Sequence, residues 1–225
     1  MDKNEKIIMA INKELLFRDD YFQGFKPASE VNFYSRIIQN NIHMKRGEAE
    51  KSTTHKHPIA YLLVVSPSSK VFAYQRSEKG NESRLHGKWS WGTGGHIDIE
   101  DMMKDGDPIQ NSLLRELSEE LTGAENPSLE LIGYINDDSD EVGKVHFGLL
   151  YIAKVKSEEI NCKDEEIKKG NLKPINELEA ICANPEYVVE GWSRIALGPL
   201  RNYILEARRK TMIGKHKDWP LFKRA

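Results

Sequence analysis

Cysteine is scarce in this chain: two residues, Cys162 and Cys182, in 225. They form neither a Cys-x-x-Cys pair nor a Cys/His cluster at zinc spacing, so a disulfide scaffold or zinc module is not expected and two buried thiols are the plain reading. Long apolar runs are missing as well. No segment approaches the roughly 20 residues that cross a bilayer, and the stretch from Met1 to Glu14 has no apolar segment of the secretory kind, so a cytoplasmic protein without membrane association is expected. Internal repeats and low-complexity tracts are absent. Nor is there an excess of one charge: 33 Lys and Arg face 35 Asp and Glu, a net charge of -2, which gives the whole chain no general pull on polyanions. The exception is local. From Arg201 to Ala225 the cations Arg201, Arg208, Arg209, Lys210, Lys215, Lys217, Lys223 and Arg224 meet only Glu206 and Asp218. A solvated helix face is the plain reading of that excess, and salt-dependent nucleic-acid binding is the alternative.

What is present is enough apolar content, 39%, for a sizeable core. Lys6 to Ile11 reads as a strand, and Val31, Tyr34, Ile37 and Ile38 recur at helical spacing after Pro27 and Ser29. A polar stretch from Lys45 to His57 then precedes the apolar run Ile59 to Val65. The division expected is an N-terminal extension over 1–56, packed on a main domain over 57–225 that ends in helices. Lys70 to Gln75 reads as the second strand of a hairpin across Ser66-Pro67-Ser68-Ser69. Strand patterns return at Leu129 to Ile135 and Val145 to Val155. Helical patterns fill Asp107 to Leu121, Glu177 to Ala183, and Tyr187 to Lys210 with an interruption at Gly198-Pro199. Interspersed strands and helices predict a layered α/β fold.

The chemistry concentrates between Gly94 and Glu120. Asp107 is a good N-cap and Pro108 a good first helical residue. Leu113, Leu114, Leu117 and Leu121 are expected to form the buried stripe, which turns Glu116, Glu119 and Glu120 toward a common neighbourhood, the first and last at i and i+4. Three carboxylates at that spacing repel by a few tenths of a kcal/mol per pair. A hard divalent cation reverses the sign, and magnesium in particular bridges carboxylates to substrate phosphates. Arg115 stands four residues before Glu119 and can steady it. Alone, Arg-Glu-Leu-x-Glu-Glu also fits an exposed helix face. Gly94-Gly95 adds a backbone open to close approach by a ligand, with carbonyls that can face the same ion.

This stretch resembles the signature of the Nudix hydrolase family: Gly, five residues, Glu, seven residues, Arg-Glu, an apolar residue, any residue, Glu-Glu, any residue, Gly. Arg115, Glu116, Glu119 and Glu120 match outright. Counted back seven residues from Arg115, Asp107 falls where the family has Glu. Six extra residues then separate it from Gly95, within Ile97 to Gly106, and Gly123 comes one place late after Thr122. The resemblance covers roughly His57 to Ala183. It implies an α/β/α sandwich around a mixed sheet and hydrolysis of a phosphoanhydride in a nucleoside diphosphate joined to another group. It also implies Mg2+, with Mn2+ as a substitute, held by Glu116, Glu119, Glu120 and the Gly94 carbonyl, with Arg115 orienting the acids.

A metal would polarise phosphoryl oxygens, lower the pKa of bound water and position the leaving group. The catalytic set expected is Glu119, Glu120, Arg115 and Glu166. The general base stays open between a box glutamate and a later loop acid, for which Glu165 and Glu166 are the candidates. Gly95, His96 and Trp91 are expected to contact substrate, although Trp89 and Trp91 also suit the core, and His96 and His146 suit ordinary polar roles. Asn136, Asp138 and Asp140 do not make a calcium loop, since Glu141 stands where glycine is required. Two other functions compete. Trp89 to His96 is similar to isopentenyl diphosphate isomerases, but their reactive cysteine is Gly94 here. A nucleotide sensor or nucleic-acid binder without turnover would use the basic tail. The extension and the six-residue insertion are read as substrate-specific loops or as a homodimer interface.

Overall fold

The central strand is legible from its lack of polar residues. The structure, a computed structural model, describes residues 2–77, 87–163 and 167–217, with side chains left undescribed at 167–169 and 211–217. Glu165, Glu166, Asp218, Lys223 and Arg224 lie outside the described residues. In chain order the elements are β1 (Ile7–Asn12), α1 (Lys13–Phe17), β2 (Gly24–Pro27), α2 (Phe33–Asn40), β3 (Asn41–Lys45), α3 (Arg46–Ala49), β4 (His55–Val65), β5 (Val71–Arg76), β6 (Trp89–Ser90), β7 (Thr93–His96), α4 (Ile99–Met103), α5 (Pro108–Glu120), β8 (Leu121–Thr122), β9 (Ser128–Asn136), β10 (His146–Lys154), β11 (Asn161–Cys162), β12 (Ile167–Lys173), α6 (Ile175–Ala183) and α7 (Gly191–Lys217).

Strand β4 is apolar along most of its length because both its faces are covered. Ala60, Leu62 and Val64 enter one core with Leu113 and Leu117 of α5 and with Leu16, Phe33 and Ile37. Tyr61, Leu63 and Val65 enter a second core with Leu178 and Ile181 of α6 and with Ala196, Leu200 and Ile204 of α7. Period-two alternation thus assigns successive residues to opposite layers, which makes the α/β/α sandwich. The main sheet runs β12-β5-β4-β10-β9-β2. It is mixed: β4 and β10 are parallel, with His146 beside His57, while β10 and β9, and β12 and β5, are antiparallel.

The segment before residue 57 is woven into this sheet. Strand β1 pairs with β3 and, through Ile11 and Asn12, with the start of β4. Strand β2 closes the far edge against β9. The buried Lys56 ammonium donates to Asp138 at 2.6 Å and to the Gly143 and His146 carbonyls at 2.9 and 3.0 Å. The acidic loop that is unsuited to calcium therefore holds a buried cation of the chain itself.

Three expectations are corrected. Leu114 is 44% exposed; the inward stripe of α5 is Ile109, Ser112, Leu113 and Leu117, following i, i+4 steps that carry Leu114 past the contact. Helix α7 starts at Gly191 and runs through Gly198 and Pro199 without interruption. Both cysteines are half-buried instead of buried.

The rotation of α5 has a direct test. Leu113→Ala is expected to destabilise the fold by about 2–5 kcal/mol and Leu114→Ala by no more than about 0.5 kcal/mol. Urea unfolding midpoints at constant m-value measure both, and equal costs would contradict this helix orientation.

Candidate active site

Helix α5 is started by its own sequence. Asp107 accepts from the Gln110 N–H at 2.9 Å, and Pro108 occupies the first turn, where its missing N–H costs nothing. Two turns on, Arg115 becomes the hub. Its Nε and Nη2 donate to Asp101 at 3.0 and 2.7 Å, Nη1 donates to Glu116 at 2.7 Å, and Nη2 also donates to the His96 carbonyl at 3.0 Å. Glu119 lies 3.5 Å from Nη1. Asp101 is 1% exposed and accepts in addition from the Asp98 N–H at 3.1 Å, closing a capping box on α4. Burial works against the Arg115 charge, but the Asp101 hydrogen bond and the Glu116 carboxylate outweigh it and raise its pKa.

The acid that meets Arg115 is therefore Asp101, not Asp107. Five residues separate Gly95 from Asp101, the family spacing, so the six extra residues fall between Asp101 and Arg115. Asn111 ties this insertion down by donating from Nδ2 to the Asp101 and Asp105 carbonyls. The forward count from Gly95 carries this signal; the backward count from Arg115 stops at a residue whose carboxylate is spent on capping.

The glycines are required by contact. A Cβ on Gly94, at φ +148, would overlap the Ala60 carbonyl oxygen across the β4–β7 pair, and one on Gly95 would overlap Glu116 Oε1. The Glu116 carboxylate thus lies directly against β7, and burial raises its pKa despite Arg115. Glu120 accepts from the Thr93 hydroxyl of the same strand, while Glu119 is 58% exposed. The three glutamates share the helix end facing β7, yet each has its own neighbour, and among the described residues their oxygens do not converge on one point. The donor set is hard oxygen, the glycine cradle admits a carboxylate beside the backbone, and Arg115 offsets only part of the three glutamates' negative charge, so these residues fit a hard divalent cation.

Other expected residues lie elsewhere. Trp91 is 1% exposed inside the second core, packed as a core residue rather than on an open wall. Trp89 is half-buried, edge-on to Tyr187 with the Lys173 ammonium over its ring. His96 is buried in a group with His57, His146 and Glu50. That group was not legible as a unit, because its histidines are 39 and 50 residues apart in the chain and meet only when β4, β7 and β10 are aligned.

Comparison with known proteins gives the following. The NUDIX domain family matches residues 55–190. Protein YmaB of Bacillus subtilis (strain 168) is 33% identical over 187 residues, 80% of this chain and 90% of YmaB. The crystal structure of the Nudix protein Tm1382 is 28% identical with a TM-score of 0.72, covering 88% of this chain and all of that one. The NUDIX domain of Shewanella oneidensis NrtR, solved with ADP ribose, has a TM-score of 0.50 at 15% identity over 66% of this chain and 88% of that one, a likeness of fold alone.

The two aspartates separate by stability. Asp101→Asn is expected to cost about 2–3 kcal/mol, because it removes the charge from a buried bidentate partner of Arg115, whereas Asp107→Asn keeps a good cap and costs no more than about 0.5 kcal/mol. Chemical denaturation of both variants measures this; the reverse order would return the box acid to Asp107.

Proposed function

The chain belongs to the Nudix family, and from that premise we propose that it is a magnesium-dependent pyrophosphohydrolase of a nucleoside diphosphate joined to another group. The family supports a hydrolase of nucleotide derivatives that uses a divalent metal; the ion and the substrate class are our reading. One observation carries it: the Arg115 hub holds the acidic end of α5 against a glycine pair that lacks the side chains to block it.

In this reading Glu116, Glu119, Glu120 and the Gly94 carbonyl hold Mg2+, for which Mn2+ can substitute. The bound ion would supply charge neutralisation on the diphosphate and acidify a water. Arg115 is a positioning residue: its bonds to Asp101 and the His96 carbonyl fix the guanidinium, which in turn keeps Glu116 facing β7. Gly95 leaves room for that carboxylate. The proton acceptor is Glu120 or Glu166. Among the described residues no helix is long and apolar enough to cross a membrane.

An isomerase of the isopentenyl diphosphate type is disfavoured by more than the missing thiol. A cysteine at position 94 would drive its Cβ into the Ala60 carbonyl, at a φ that side chains rarely adopt.

Purified protein incubated with a panel of nucleotide derivatives and Mg2+ is expected to release a nucleoside monophosphate and the second phosphorylated product. Glu119→Gln and Glu120→Gln should each lower kcat by at least about a hundredfold. Comparison of Glu120→Gln with Glu166→Gln across pH identifies the base by the loss of the basic-limb ionisation. Full activity in both box variants would refute the assignment.

A further inference from the structure

Three histidines at the ends of three strands form a group that the Nudix reading does not use. His57 lies near the start of β4, His146 opens β10 as its parallel neighbour, and His96 closes β7, which runs antiparallel to β4. All three strands deliver their histidines to one end of the sheet, where the C-cap of α3 adds Glu50. His57 Nδ1 lies 2.9 Å from His96 Nε2, His146 Nε2 lies 3.3 Å from the same atom, and Glu50 Oε1 is 3.8 Å from it. One ligand atom from each residue can be chosen so that all lie within 4.8 Å of one another.

We propose that His57, His96, His146 and Glu50 form a second metal centre, for a divalent transition metal of the zinc type, distinct from the magnesium site of the glutamate helix. Four donors around zinc at about 2.0–2.1 Å sit about 3.3–3.4 Å apart in a tetrahedron. The two imidazole contacts and the Glu50 contact bracket that edge. The rings are buried, which lowers the pKa of each, that of His57 to about 3, so each is neutral, with one nitrogen protonated and the other offering a lone pair. His146 is pre-oriented: its Nδ1–H donates to the Val142 carbonyl at 2.6 Å, which leaves Nε2 bare and turned toward His96. Imidazole donors select zinc, cobalt or nickel over magnesium, whereas the glutamate helix offers hard oxygens. The Arg46 guanidinium, 3.3 Å from Glu50, together with the Lys56 and Lys3 ammoniums, opposes a dication here, and the Glu50 carboxylate offsets part of that charge.

With all four positions supplied by protein, the centre is structural rather than hydrolytic. Its effect on the neighbouring site runs through His96, whose ring belongs to the metal centre while its carbonyl accepts from Arg115 Nη2 and from Ser112 Oγ. The ion would pin the strand that carries Gly94 and Gly95.

The test uses the full chain, stripped with chelator, reloaded with Zn2+ or Co2+, and passed through gel filtration. One Zn2+ per chain is expected by elemental analysis, with the intense visible bands of tetrahedral Co2+ in the cobalt form and a higher Tm with Zn2+. Glu119→Gln and Glu120→Gln should retain the metal and the bands. His96→Gln and His146→Gln should weaken Zn2+ binding at least about tenfold, and Glu50→Gln should shift the cobalt spectrum. If the histidine variants fail to fold, the wild-type cobalt spectrum decides, since weak octahedral bands overturn the proposal. So does a folded wild-type protein that retains no Zn2+, or metal lost with the glutamates and kept without the histidines.

Discussion

The geometry of the acidic helix end depends on one buried ion pair, Arg115 with Asp101. A carboxylate with 1% of its surface exposed is tolerable only when its lone pairs are filled, and here two guanidinium nitrogens and the Asp98 N–H fill them. The pair joins α5 to α4, and the guanidinium edge left over reaches Glu116 and the His96 carbonyl. A single side chain thereby sets the distance between the helix and β7.

The N-terminal segment reinforces this arrangement from the other side. The Met9 N–H donates to the Ile97 carbonyl, and Lys6 pairs with Asp98 at 3.2 Å, so the loop between Gly95 and Asp101 is held by β1 as well as by α5. Glu50 comes from the same segment. What reads in the sequence as an appendage thus braces the loop leading into Asp101, and its removal would strip Leu16, Phe33 and Ile37 from the first core and uncover Tyr134 and Phe147.

Much of this was legible in the residues. The unbroken apolar run Ile59 to Val65 marks a strand covered on both faces, and Asp107-Pro108 marks a helix start; both hold because the signals are local. The signature residues Arg115, Glu116, Glu119 and Glu120 are likewise local, lying within two turns of one helix. Failures arose where the deciding contact is remote. Leu114 is as apolar as Leu113, and only the sheet beneath α5 decides which of them faces inward. Pro199 normally breaks a helix, but the packed face of Ala196, Leu200 and Ile204 holds α7 together across it. Asp101 and Asp107 both suit the signature by charge, and the guanidinium chooses between them. His57, His96 and His146 carry no spacing at all until strand register aligns them.

The parallel pairing of β4 with β10 also shapes how the molecule is made. Strand β4 leaves the ribosome long before its parallel neighbour exists, and a parallel partner cannot arrive through a short turn. Until His146 to Lys154 are synthesised, this buried strand lacks its parallel partner and can pair only with β1, β5 and β7. Nascent chains therefore pass through an interval with a greasy, half-paired ribbon, a target for holding factors and a seed for self-association.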